Sequence, residues 1–353
     1  MEEILDLAIE FKASDIHFKA NMAPVFRIDG RIRSVSGLPV YDAETLRSTM
    51  IGLLNRRQQQ LFEENMELDT ALVFGDKARV RVNLYTDIDS VGCAMRIVPL
   101  EVPTIEQLGL PPVIEQLTHS RNGLVLVTGV TGAGKSTTLA AMIDAINRRE
   151  ALHIYTMEDP IEFVHRPKKS VITQREIGYH TKSFSSALRS ALRADPNVLL
   201  IGEMRDRETM LYAMKAAETG ILVLSTLHTS SAPKTIQRIL GAFDPAEQDA
   251  IRMQLALTLK AVVAQQLVPL IEGGRMAVHE IMVNTLTIQE AILRGEIEAI
   301  HEFIRNGAFD GMQTMDAAIY NAYREGFLDA DTARSYSLNP IEMERILKGA
   351  TLY

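Results

Sequence analysis

Reactive chemistry in this chain is concentrated in one stretch, "GVTGAGKST", Gly129 to Thr137. Glycines at 129, 132 and 134 clear side-chain bulk from the backbone, so successive N–H groups can approach an anion, while Lys135 adds positive charge and Ser136 and Thr137 add hydroxyls. The spacing Gly129-x-x-x-x-Gly134-Lys135-Ser136, between an apolar run and a helix-forming run, is that of a phosphate-binding loop. Gly129, Thr131, Gly132, Ala133, Gly134, Lys135, Ser136 and Thr137 are therefore the candidate nucleotide ligands. Lys135 is expected to reach the β- and γ-phosphates and Ser136 to bind Mg²⁺. Downstream, "NVLLIGE" is an apolar strand ending in Gly202-Glu203, which puts a carboxylate at the carboxyl edge of a sheet. There Glu203 would activate water or hold hydrated Mg²⁺; the alternative is an ordinary carboxylate at a strand end. "MEDPIEF" supplies Glu158, Asp159 and Glu162, either a cation-side cluster or a solvated loop. "STLHT" puts His228 just past another apolar run, to sense a γ-phosphate or to satisfy a local hydrogen bond.

These residues need a sheet to position them. From Gly123 the chain alternates short apolar runs ("GLVLVTG", "HIYTME", "NVLLIGE", "ILVLSTL") with helical segments near Ser136–Arg149, Ser183–Ala194 and Asp206–Thr219, the pattern of a parallel sheet covered on both faces. Beyond Pro233 the pattern is mostly helical: "EQDAIRMQLALTLKAVVAQQL" reads as the strongest helix and "MAVHEIMVN" as a returning strand. The first hundred residues read as α+β, with period-two segments "APVFRIDGRIRSV" and "ARVRVNLY" around a helical "DAETLRSTMIGLLNRRQQQLFEEN", in which Asp42 and Thr45 are first-turn capping residues. Pro99, Pro103, Pro111 and Pro112 mark a linker at 101–120, so domains are expected at 1–100 and 121–353.

Composition narrows the function. The apolar fraction is 46% and net charge −8, values of a globular chain ill suited to general nucleic-acid binding. The sole cysteine, Cys93, excludes a disulfide framework and reads as a small core residue. No apolar run approaches the about 18 residues of a membrane span, and the acidic start "MEEILDLAIE" is unlike a secretory signal, so a cytoplasmic protein is expected.

Taken in order, "GVTGAGKST", "MEDPIEFVH", "TQREIG", "ALRSALRADPNVLLIGEMRD" and "AAETGILVLSTLHT" resemble the Walker A loop, Asp box, linking segment, Walker B strand and His box of the secretion ATPase superfamily, in its type IV pilus retraction branch; "ASDIHF", "RIDGRI" and "ARVRVN" resemble that family's first domain. The resemblance implies a PAS-like α+β domain followed by a RecA-like P-loop ATPase domain with a mostly helical C-terminal part. It further implies a homohexamer that hydrolyses ATP with Mg²⁺ at subunit junctions, docked peripherally on an inner-membrane pilus platform protein. Glu203 would be the catalytic glutamate, Glu158 and Glu162 the Asp-box carboxylates, and His228 the second His-box histidine. Metal contacts would come from Ser136, Glu158 and Glu203. Arg81 and Arg96, with Arg79 behind them, would be arginines that reach the phosphates, although alternation alone equally makes Arg79 and Arg81 a solvated strand face. Two positions depart from the family pattern: Ile221 stands where the first His-box histidine is usual, and in "TIQEAILR" only Ile288 and Ile292 match the retraction signature. Alternatives are a pilus-assembly or type II secretion ATPase, against which the single cysteine speaks, and a slow-cycling nucleotide-dependent accessory protein.

Overall fold

The computed structural model describes residues 1–28, 30–75, 77–98 and 101–349. Asp29 of "RIDGRI", Pro99 of the proline cluster, Leu100 and the end of the chain from residue 350 lie outside the described residues. Two compact units result, one of Met1–Glu101 with the short segment Glu162–Val164, the other of Val102–Ile161 with the chain from His165 onward.

The first unit holds α1 (Glu2–Glu10), β1 (Asp15–Phe18), β2 (Val25–Ile28), β3 (Arg31–Ser34), α2 (Ala43–Gly52), α3 (Arg56–Asn65), β4 (Glu67–Phe74), β5 (Ala78–Thr86) and β6 (Val91–Val98). Its strands form an antiparallel sheet in the order β3-β2-β1-β6-β5-β4. Period two is plain in β5: Ala78, Val80, Val82 and Leu84 are buried, while Arg79, Arg81 and Asn83 take the other face. The helix expected over 42–65 is two helices. Asp42 caps the first, accepting the Thr45 N–H at 2.7 Å, as the sequence suggested. Asn55 starts the second with a reciprocal capping box to Gln58, a stronger local signal than the apolar periodicity that runs across both. Cys93 is fully buried in β6, and burial pushes its thiol pKa up to about 12.

The second unit begins with α4 (Pro112–Leu117), β7 (Gly123–Thr128), α5 (Lys135–Arg149), β8 (His153–Glu158), β9 (Val171–Glu176), α6 (Phe184–Ala191), β10 (Val198–Ile201), α7 (Arg207–Glu218) and β11 (Leu222–Leu227). It continues with α8 (Ala232–Leu240), α9 (Gln248–Thr258), β12 (Leu259–Pro269), β13 (Arg275–Val283), α10 (Leu286–Arg294), α11 (Ile300–Asn306), α12 (Met315–Arg324), α13 (Ala330–Tyr336) and α14 (Pro340–Leu347). The sheet order is β13-β12-β7-β11-β10-β8-β9, parallel except for β13. Alternate residues of β7 enter different cores: Leu124 and Leu126 meet α6 to α10, Val125 and Val127 meet α4 and α5. With both faces covered, a strand gains nothing from polar alternation, hence the unbroken apolar runs. Met210 and Met214 fill the first of these cores.

Two expectations about this unit need revision. The long helix expected over 247–267 is helix only to Thr258; the rest is β12, paired on both sides. Val262 and Val263 favour a strand, but a strand buried on both faces looks like the continuation of an apolar helix. Of the residues read as a linker, Val102 onward falls in the second unit, and Ile105, Leu110, Val113, Ile114 and Leu117 are buried in its core.

Two histidines of this unit, His165 and His279, are buried, and burial lowers each pKa from 6.5 to about 4, with Asp144 opposing and Lys168 assisting at His165. Because the folded pKa lies below the unfolded one, the unfolded chain takes up protons first as pH falls. The stability is therefore intact above pH 6.5 and lost toward pH 4. Between pH 7 and 5 each histidine should cost about 2 kcal/mol, partly offset by Glu280, whose pKa burial raises. Thermal melts should show a marked drop over that range, and His279→Leu should flatten it; an unchanged slope would refute the assignment.

Candidate nucleotide-binding and catalytic site

The chain leaves β7 for β8, three strands to one side, and leaves β11 for β12, two strands to the other. Adjacent strands whose continuations diverge open a crevice at their carboxyl ends, and the loop 129–134 lies there. Helix α5 starts at Lys135 behind Gly134, a left-handed N-cap at φ +86° that offers no side chain to the first-turn amides. Those amides and the helix dipole are thus available to an anion. The glycines are required by more than turn geometry: a Cβ at Gly129 would stand 2.2 Å from the Gln265 carbonyl oxygen, and one at Gly134 2.8 Å from Gln265 Nε2. Lys135 is buried and donates to the carbonyls of Gly129 at 2.9 Å and Val130 at 3.1 Å, curling over its own loop. Ala133 is buried, Thr131 and Gly132 are exposed at the loop's tip, and Ser136 and Thr137 stand half-buried in the first turn of α5.

Gln265 is the residue that sequence reasoning missed. From β12 its Nε2 donates to the Ala133 carbonyl at 2.7 Å, and its Oε1 accepts the Thr138 hydroxyl at 2.8 Å, so it bolts the loop and α5 to the neighbouring strand. A polar side chain inside an apolar strand was the available signal, hidden while that stretch read as a helix.

At the ends of the neighbouring strands, Glu203 is divided between two cations or donors. Its Oε2 pairs with Arg205 Nε at 2.9 Å and its Oε1 lies 3.3 Å from His228 Nε2. Glu158 closes β8 and accepts the Thr156 hydroxyl at 2.7 Å and Gln174 Nε2 at 3.3 Å. Gly202 lets the two strand tips touch, since a Cβ there would be 3.2 Å from the Glu158 Cα. Lys135, Ser136, Glu158, Glu203 and His228 therefore share one edge of one sheet. Among the described residues no group of three or more His, Cys, Asp or Glu could by itself hold a metal ion. The oxygen donors at this edge instead suit a hard cation that keeps waters and phosphate oxygens as ligands.

Glu162, Arg81 and Arg96 fall in the first unit. Arg81 and Arg96 are direct cross-strand partners, where like charges repel. Arg96 is held by Asp15 at 2.8 Å, whereas Arg81 has no acidic partner among the described residues. Ile221 precedes β11 and packs against the core, whereas His228 follows the same strand. Six residues at about 3.3 Å each put position 221 roughly 20 Å from the strand-end group, so the missing histidine leaves that group intact.

No helix among the described residues is long and apolar enough to cross a membrane. A Pseudomonas aeruginosa protein named "Type IV pilus retractation ATPase PilT" is 41% identical over 338 residues, 96% of this chain and 98% of its own length. A second protein of that organism, "Type IV pilus ATPase PilU", is 38% identical over 98% of this chain and 91% of its own. The crystal structure of the pilus retraction motor PilT with bound ADP superposes with a TM-score of 0.90 at 40% identity, covering 97% of this chain and 98% of that one. The Legionella pneumophila ATPase DotB follows at TM-score 0.83 and 26% identity, covering 99% and 95%. The family described as Type II/IV secretion system protein matches residues 1–331, and with a phosphate loop, a strand-end glutamate and a histidine gathered at one sheet edge, this chain belongs to that family.

Proposed function

We propose that the protein is an Mg²⁺-dependent ATPase that drives retraction of a type IV pilus. The observation that carries this reading is the convergence of Lys135, Glu203 and His228 at the carboxyl edge of one sheet, on a chain similar over nearly its whole length to a named retraction ATPase. Gly129 and Thr131 to Thr137 would hold the phosphates, and Ser136 with Glu158 and Glu203 would hold Mg²⁺. Bound Mg²⁺ would neutralise charge on the β- and γ-phosphates. Glu203 orients and deprotonates the attacking water once its carboxylate leaves Arg205, and His228 senses the γ-phosphate. The first domain is read as PAS-like and the second as RecA-like, with Glu162 as an Asp-box carboxylate and Arg81 and Arg96 as arginines for the phosphates of a nucleotide. The unneutralised Arg81 supports a role on an anionic ligand. Six copies form a ring, peripheral to the inner membrane and bound to a pilus platform protein, and no nucleic acid takes part.

ATP-bound and ADP-bound states that differ in free energy can bias a domain movement, and that difference is the motor's work. Deletion of the gene should leave cells with excess pili and no twitching. Loss of pili would instead assign the protein to assembly, and wild-type motility would remove it from retraction.

A further inference from the structure

Glu280, in β13, is a charged residue with no exposure, and the chemistry described above does not use it. Its Oε1 accepts the N–H of Ala232, the first residue of α8, at 2.8 Å. A buried carboxylate is costly to keep, so one met by the first amides of two helices marks a position the fold holds firmly. Burial raises its pKa, with Asp316 adding to the effect and the amides of Ala232 and Met315 and the Lys234 cation opposing it.

The amide it grips lies four residues after His228. The intervening chain is tied to the first turn of α8: the Thr229 and Thr235 hydroxyls are 2.6 Å apart, and Thr235 donates to the Ser231 carbonyl at 2.8 Å. At the upstream end of this short segment, His228 stands 3.3 Å from the Glu203 carboxylate. On the other flank, Gln313 brackets Glu280. Its Nε2 donates to the His279 carbonyl at 2.9 Å and its backbone exchanges bonds with Ile281, which places the N-terminus of α12 beside the same carboxylate. Glu280 thus stands between the helix that follows the His228 loop and a helix of the C-terminal bundle.

We propose that Glu280 is a positioning residue that, by holding the first amide of α8, sets His228 against Glu203 and ties that setting to α12. The inference rests on the assignment of Glu203 and His228 to ATP hydrolysis. Outer groups that fix a reacting constellation act on turnover more than on substrate binding, whereas a residue that only supports the fold acts on melting temperature and acts independently of His228.

The test is a double-mutant cycle on the purified full-length protein with MgATP. Glu280→Leu, which keeps bulk and removes the acceptor, should lower kcat about ten-fold with KM for ATP within about two-fold, and Glu280→Gln, which restores an acceptor oxygen, should recover most of it. In a His228→Ala background Glu280→Leu should change kcat by less than about two-fold. Independent, multiplicative losses in the cycle, unchanged kcat in folded Glu280→Leu, or no recovery with glutamine would overturn the proposal while leaving the roles of His228 and Glu203 standing. If His228→Ala alone leaves kcat unchanged, the reading of the site falls and takes this inference with it. Should the leucine variant not fold, Glu280→Met, which also removes the acceptor while filling the space flexibly, enters the cycle with the same expectations.

Discussion

Alanine in place of Lys135 should abolish ATP turnover, with kcat/KM falling at least about 10³-fold, some 4 kcal/mol of transition-state stabilisation. Two losses coincide. On the proposed reading the ε-ammonium is the cation that would meet the β- and γ-phosphates, where charge spreads as the terminal phosphoryl transfers. The same group bonds the carbonyls of Gly129 and Val130, so its removal also loosens the loop that orients the phosphates. Fold should survive, because α5 is anchored further along by Thr138 on Gln265 and by its buried residues Leu139, Met142, Ile143 and Ile146. A coupled hydrolysis assay and calorimetric titration with MgATP are the measurements. Wild-type turnover in the folded variant would remove Lys135 from the site.

Glu203→Gln should separate binding from chemistry: kcat should fall by about 10² to 10⁴-fold while affinity for ATP stays within a few-fold of wild type. Glutamine keeps the shape and can still meet His228, but it cannot take a proton from water and no longer attracts Arg205 as an ion pair. Arg205 and His228 lie on different oxygens of the carboxylate, so a water must compete with one of them for the lone pair it uses. ATP-trapped protein, detected as bound nucleotide that survives gel filtration unhydrolysed, is the expected product. Normal turnover would give the base's role to another group.

The parts legible in the sequence were those where local signals and tertiary demands agree. Gly129 to Ser136, the four apolar strands, the cap at Asp42 and the helix starts at Ser183 and Asp206 each carry their own chemistry, and each occurs where the pattern places it. Glu203 and His228 were readable as strand-end residues because their strands were. What escaped depended on distant partners. β12 lies between β7 and β13, and no local pattern distinguishes such a strand from the helix that runs into it. Gln265 was hidden with that strand, whereas Glu280 sits on a strand that was legible and escaped because its partner is distant: one grips a loop 132 residues away and the other an amide 48 residues away. The strand β9 escaped because Thr173, Gln174, Arg175 and Glu176 give a polar run at the edge of the sheet, without the apolar signature of its neighbours.

Cys93 carries a practical consequence. Sealed within β6 and with a thiol pKa near 12, the native sulfur presents almost no thiolate at neutral pH, so maleimides and nitroxide reagents will pass it by. A surface cysteine introduced on either unit then becomes the sole labelling handle per chain, and pairs of such handles can report distances during the nucleotide cycle without first engineering the natural thiol away.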